Sequence, residues 1–249
     1  MRCAPMAEAA VKFPLRVVGA PLGGVGAERG VVALPVRTRL IERGDDIPEL
    51  VAQAVAGIAQ SGDVVAVAET AVAIAQGRLI AAETVRPGKL ALFLAPRAGA
   101  ASTVNQPESL QIVIDKVGAP KVLFAAALQA AGRFVGRRGA FYRVLGETIA
   151  EIDGYTGTLP PYETTIVLGP EAPDRIATEI AARLGTHALI VDANDLGIAK
   201  ILGASPGVAR ANAEAVLRAN PHGNGDEQTP VVVLKWRGSG ASPLERRSA

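Results

Sequence analysis

The run Val64-Val65-Ala66-Val67-Ala68 constrains the fold more than any other segment of the chain. Five small or β-branched apolar residues in succession leave no polar face, so a strand built from them must be covered on both sides. Ser61-Gly62-Asp63 supplies the turn that leads into it. His187 to Val191 has the same buried character, and Val31 to Val36, Thr165 to Leu168 and Val231 to Trp236 also read as strands. Helices stand between them. Arg43-Gly44-Asp45-Asp46-Ile47-Pro48 reads as a turn that opens a helix, with Asp46 at the cap and Pro48 in the first turn, and the helix is predicted to run to about Gln60. Pro173 to Leu184 is opened by Pro173 and closed by Gly185, and Val208 to Ala219 is a further helix. Ala71 to Gln76 fits a helix or a strand equally. Residues 97 to 107 read as a loop, and Ala119-Pro120 introduces a helix over Lys121 to Val135. Strands and helices alternate without a strict repeat, which gives an α+β or mixed α/β class rather than a regular doubly wound sheet.

Composition narrows the function. Aromatic residues are only 4% of the 249, so the interior is built from Ala, Val, Leu and Ile, within one large domain or two small lobes. With 49% hydrophobic and 20% charged residues, a disordered or fibrous chain is excluded. The net charge of +2 argues against a protein that grips nucleic acid through its backbone. Cys3 is the single cysteine, so neither an intrachain disulfide nor a Cys-rich zinc site can form. His187 and His222 lack metal-ligand spacing, and any metal would therefore rest on oxygen ligands, pointing to magnesium, manganese or calcium. Met1 to Pro14 has no apolar h-region, and Val122 to Gly132 is too short to span a bilayer. These features predict a soluble cytoplasmic protein with an irregular lead-in over 1–30, a main domain over 31–237 and a flexible polar tail over 238–249.

Three polar constellations are candidate sites. In His187-Ala-Leu-Ile-Val-Asp192-Ala-Asn194-Asp195, an apolar strand delivers oxygen-bearing side chains at its carboxyl end, where α/β proteins place ligands. Asp192 and Asp195 suit a divalent cation and Asn194 a neutral third ligand; an Asx-type turn is the structural alternative. Ile152-Asp153-Gly154-Tyr155-Thr156-Gly157 offers Gly and Thr for close phosphate approach, and Asp153 to share a metal with Asp192; a Pro-stiffened connection is the alternative. The loop Asn220 to Pro230 is polar and enters the last strand.

The stretch Thr38-Arg39-Leu40-Ile41-Glu42-Arg43-Gly44-Asp45-Asp46-Ile47, followed by Gly62-Asp63-Val64 through to Gly77-Arg78, resembles the opening of the coenzyme F420-0:L-glutamate ligase (gamma-glutamyl ligase) family. Gly225-Asp226-Glu227-Gln228-Thr229-Pro230-Val231-Val232 resembles its closing loop and strand. Ile152-Asp153 and Val191-Asp192 stand at matching places between, so the resemblance spans about 31 to 237 and is weakest over 97–140.

This resemblance implies a two-lobed α+β fold, an intertwined homodimer with the site near its interface, and a reaction that joins L-glutamate to a carboxylate acceptor through an acyl phosphate. GTP would be the cosubstrate and Mg²⁺ or Mn²⁺ the metal. Asp153 and Asp192 are the implied metal positions, to which the residue reading adds Asn194 and Asp195, and Thr70, Thr156 and Glu227 are the candidate nucleotide positions. The chain also departs from the family pattern, with Thr70 in place of a Lys, Ala73 and Gln76 in place of Ser and Glu, and Asp192-Ala193-Asn194-Asp195-Leu196 in place of Asp-Thr-Phe-Gly-Arg. Arg78, Lys200 and the Arg137-Arg138 pair are the cations available to replace the missing Lys. A non-catalytic nucleotide- or metabolite-binding homologue is the second reading these departures leave open.

Overall fold

The computed structural model describes residues 30–98, 104–134, 139–146, 152–153, 160–223, 227–237, 242 and 244–245. The expectations for the lead-in 1–29, for the loop about Thr156 and for Arg137-Arg138 lie outside these residues. In chain order the elements are β1 (Val31–Val36), α1 (Ile47–Ala54), β2 (Val64–Ala68), α2 (Glu69–Ala75), β3 (Leu79–Ala81), α3 (Lys89–Leu94), α4 (Pro107–Val117), α5 (Ala119–Phe134), α6 (Ala140–Leu145), β4 (Ile152–Asp153), β5 (Thr165–Leu168), α7 (Pro173–Leu184), β6 (His187–Asn194), β7 (Ile198–Ala204), α8 (Arg210–Leu217) and β8 (Val231–Trp236). This mixed helix-and-sheet content agrees with the α+β class. Two compact units divide the chain, one formed by 1–75 with 172–249 and the other by 76–171.

The first unit holds a five-stranded sheet in the order β1-β8-β2-β6-β7. β2 and β6 run parallel, and every other pairing is antiparallel. Val64, Val65, Ala66 and Val67 are all fully buried, as their unbroken apolar run requires. Each valine so buried contributes about 1.5–3 kcal/mol. Alternation divides the sheet between two layers. Val64, Ala66, Leu189, Val191, Val232 and Leu234 pack with Ala213, Val216 and Leu217 of α8. Val65, Val67 and Ile190 point to the other face, where α7 lies on β6 and β7 and packs against α1.

Local signals explain most boundaries. Asp46 caps α1 by accepting from the Glu49 amide at 3.0 Å, with Pro48 in the first turn. The helix ends at Ala54 rather than near Gln60, and Gly57, at φ +72°, lies in the turns that follow. α2 follows β2 without a loop, which resolves the ambiguous segment as a helix. β6 does not stop at Val191 but continues to Asn194 and folds back as β7, a hairpin strand that the sequence reading left out. One irregularity interrupts that hairpin: Ile190 pairs with Gly203 and Val191 with Ile201, so Leu202 is the extra residue of a β-bulge. The bulge turns Gly203 to the α7 side, where a Cβ would stand 2.2 Å from the Pro173 carbonyl carbon and 2.4 Å from the Asp174 nitrogen. The tail also departs from expectation at Leu244, which is buried against the α8 layer while its carbonyl accepts from the Ala209 amide at 2.7 Å. An apolar side chain that fills the core holds this part of the tail in place.

The second unit pairs β3, β5 and β4 in an antiparallel sheet of three strands. Its core gathers Leu110, Val113, Val122, Ala125, Leu145, Ile152 and Ile166. Here α3 and α4 stand on either side of the segment expected as a loop. α4 begins at Pro107, the residue at which the expected loop ends, and stops at Gly118 with φ +85°. At the two ends of this unit Gln76 and Glu171 bond reciprocally: Gln76 Nε2 donates to the Glu171 carbonyl at 2.9 Å, and the Glu171 amide donates to Gln76 Oε1 at 2.7 Å. Arg78 donates to the Gly169 carbonyl and pairs with the Glu171 carboxylate. Among the described residues no helix is long and apolar enough to cross a membrane.

Candidate functional site

The parallel pairing of β2 with β6 decides where the polar side chains of the first unit collect. Ala68 lies beside Val191, and its amide donates to the Pro230 carbonyl at 2.8 Å. The carboxyl ends of β1, β2 and β6 and the start of β8 therefore share one edge of the sheet. Beyond Ala68 the chain presents Glu69 and Thr70 in the first turn of α2; beyond Val191 it presents Asp192. Residues 227–229, which lead into β8, stand at the same edge, where the Thr38 amide donates to the Gln228 carbonyl at 3.2 Å. Thr70, Asp192, Asn194, Asp195 and Glu227 are thus brought to one side of one sheet although they are scattered along the chain. Asp153 lies on β4 of the second unit, paired with Val167; its side chain and Thr156 are outside the described residues.

The three oxygen donors of the β6–β7 hairpin have different occupations. Asn194 Oδ1 accepts from the backbone amides of Leu196 at 3.0 Å and Ile198 at 3.4 Å. This is the turn-forming alternative for the segment, and it removes Asn194 from the set of open ligands. Asp195 Oδ1 accepts from Asn220 Nδ2 at 2.7 Å, tying the hairpin turn to the loop 220–229. Asp192 is half-buried, and burial pushes its carboxyl above the ordinary range while Lys200 partly opposes the shift. Asp192 and Lys200 are directly opposed in the ladder. Such cross-strand partners have Cα atoms about 4.5–5.5 Å apart. Among the described residues no three His, Cys, Asp or Glu side chains gather as a metal cage.

Residues 220–223 and 227–229 are fastened to one another through His222 and Thr229. His222 Nδ1 donates to the Thr229 carbonyl at 3.2 Å, and the Thr229 hydroxyl donates back to the His222 carbonyl. Both residues are buried, as is Asn220, which adopts φ +44°. Burial lowers the His222 pKa to about 4, with the Thr229 carbonyl partly opposing, so the ring is neutral and Nε2 carries the lone pair. The Glu227 carboxylate lies close to Gly223, where a Cβ would meet its carboxyl carbon at 2.7 Å. The Gln228 carbonyl accepts from the Thr38 amide at 3.2 Å, and its side-chain oxygen from Arg37 at 3.4 Å. Arg39 grips Asp45 with two bonds of 2.7 Å, which raise the arginine pKa and lower that of the carboxyl.

Sequence reading missed Arg37 and the clamp formed by His222. Neither has a local signature, because both depend on partners brought together by β8. Lys200 was recognised only as one cation among several. Its signal is the alternation of Ile198-Ala199-Lys200-Ile201, exposed and buried in turn.

The F420-0:Gamma-glutamyl ligase family profile matches residues 35–195, from the end of β1 to the turn after β6. The closing segment Gly225 to Val232 lies beyond that match. The coenzyme F420:L-glutamate ligase of Methanopyrus kandleri is 30% identical over 146 residues, which is 59% of this chain and 50% of that protein. The chain therefore aligns with about half the length of this curated relative. Because the profile spans well over half of the sequence and includes the edge that carries Thr70 and Asp192, the chain belongs to the F420-0:gamma-glutamyl ligase family.

Proposed function

We propose that this protein is a ligase that forms an amide between the amine of L-glutamate and the carboxylate of coenzyme F420-0 or a related small acid, with GTP as cosubstrate. The observation that carries the reading is the family match over 35–195, supported by the ligase name of the Methanopyrus relative. In this reaction a carboxylate oxygen of the acceptor attacks the γ-phosphorus and GDP leaves. The glutamate amine then attacks the acyl carbon, phosphate departs with the former carboxylate oxygen, and the amine loses a proton.

The donor set of the first unit fits a magnesium- or manganese-type ion held through one carboxylate, Asp192, with phosphate and water oxygens completing the shell. It does not fit an all-protein cage, because Asn194 is bonded to backbone and Asp195 to Asn220. A divalent cation there would supply neutralisation of the phosphate oxygens. Asp192 is held in the ladder opposite Lys200, one residue beyond the last β2–β6 pair, so its carboxylate is presented from a strand.

The test is to incubate the full chain with GTP, L-glutamate, the acceptor and Mg²⁺ or Mn²⁺, and to follow the amide by mass spectrometry and phosphate by release. Amide formation that requires all components is expected; nucleotide binding without turnover would instead identify a binding homologue. Asp192→Ala should abolish the thermal stabilisation conferred by Mn²⁺ with nucleotide, and calorimetry showing unchanged Mn²⁺ binding in that variant would remove Asp192 from the site.

A further inference from the structure

We infer that Lys200 is the residue that binds nucleotide phosphate at this edge, an inference that rests on the nucleotide-dependent reading above. The bulge at Leu202 sets the phase of β7, so that Ala199 and Ile201 enter the core while Lys200 stands on the opposite face, directly across from Asp192. Lys200 is exposed, and among the described residues its ammonium has no hydrogen-bond or ion-pair partner, although it acts electrostatically on Asp192.

Two other cations near this edge, in the segment that follows β1, are engaged. Arg39 is held by both oxygens of Asp45, and Arg37 donates to Gln228. The continuation of β2 offers only Glu69 and Thr70, one acidic and one neutral. A polyanion arriving at the β6–β7 hairpin meets the carboxylates of Asp192 and Asp195. A divalent ion on Asp192 offsets part of that repulsion, and a compact ammonium across the ladder offsets more, as lysine does at other phosphate sites. The competing role for Lys200 is that of a charge blunting an edge strand, since β7 ends the sheet. That role predicts a change in association between chains and none in nucleotide affinity.

The test is calorimetric titration of the full chain and of Lys200→Met, Lys200→Gln and Lys200→Arg with GTP and with inorganic triphosphate, at fixed Mg²⁺ and salt. Loss of a charge-assisted bond should weaken both ligands about ten- to a hundredfold in the Met and Gln variants, while Arg keeps most of the affinity. Lys89→Met, on α3 of the second unit, should bind as the parent does. In steady state the KM for GTP should rise while the KM for glutamate stays constant. Equal affinity in the folded Met or Gln variant, or a loss confined to glutamate, overturns the assignment and leaves the ligase reading intact. Failure of the parent chain to bind GTP or triphosphate overturns both.

Discussion

Gly203→Ala is the sharpest test of the register on which the site depends. A methyl group there would lie 2.2–2.5 Å from backbone atoms of Pro173 and Asp174, against an ordinary contact of 3.4–4 Å. The first turn of α7 would have to withdraw by about 1 Å. Asp174 is anchored there by accepting from the Ala204 amide at 2.9 Å and by pairing with Arg210. Overpacking usually costs about 1–3 kcal/mol, and a collision with anchored backbone rather than a side-chain tip places this variant near the upper end, about 3 kcal/mol. For a unit of this size that is a fall in melting temperature of about 6–12 °C. The sign is diagnostic. Without the close approach, alanine at a strand position outside the left-handed region would stabilise the chain by about 0.4–1 kcal/mol through the unfolded state. Differential scanning calorimetry on both proteins decides, and an unchanged or higher midpoint would refute the bulge and with it the facing of Asp192 and Lys200.

Other outcomes follow from the same edge. His222 has a folded pKa of about 4 against 6.5 for the ordinary ring, so the unfolded chain binds the extra proton first; stability is complete above about pH 6.5 and declines as pH falls toward 4, by roughly 3 kcal/mol in total. Urea titrations from pH 7 to pH 4 should show that decline, and His222→Gln should flatten it; equal slopes in the two proteins would contradict a buried neutral ring. Thr70→Lys should tighten GTP binding by about one order of magnitude, since Thr70 lies in the first turn of α2 at the sheet edge where β6 delivers Asp192; calorimetry giving equal affinities would place Thr70 outside the phosphate site. The chain should be a homodimer, with Leu92, Phe93, Leu123, Phe124 and Leu128 of the second unit supplying exposed apolar surface. Light scattering should then give twice 25.5 kDa, and a monomeric mass at micromolar concentration would count against it.

Legibility in the sequence followed the strength of local punctuation. β5 and α7 lie where the pattern places them, because Pro173 and Gly185 mark the helix and the apolar run Thr165 to Leu168 is short and bounded. α4 escaped notice although Pro107 and Gly118 bracket it, since Gln106 is a poor cap and makes no side-chain bond to the first turn. β7 was missed because it is an edge strand whose alternation is broken by the bulge at Leu202. The Asx alternative for Asn194 was readable from residue type alone, and its two amide partners follow from the turn. What no local pattern conveys is strand order. Thr70 and Asp192 share an edge through the β2–β6 pairing, and Glu227 reaches it only because β8 enters between β1 and β2, pairings between segments more than a hundred residues apart.

That strand order also governs how the chain is made. β1 and β2 leave the ribosome early, yet neither pairs with the other; each pairs with β8, which is synthesised after the whole second unit. Until then β1 waits without its partner and β2 keeps one edge unpaired, the other being free to take β6 once residues 76–171 have emerged. The reciprocal Gln76–Glu171 bonds draw the two ends of that intervening unit together, shortening the loop that the late strand must close. Premature termination anywhere before Trp236 would therefore release a chain with its first-made strands still seeking partners, whereas an intact chain completes its central sheet in one late step.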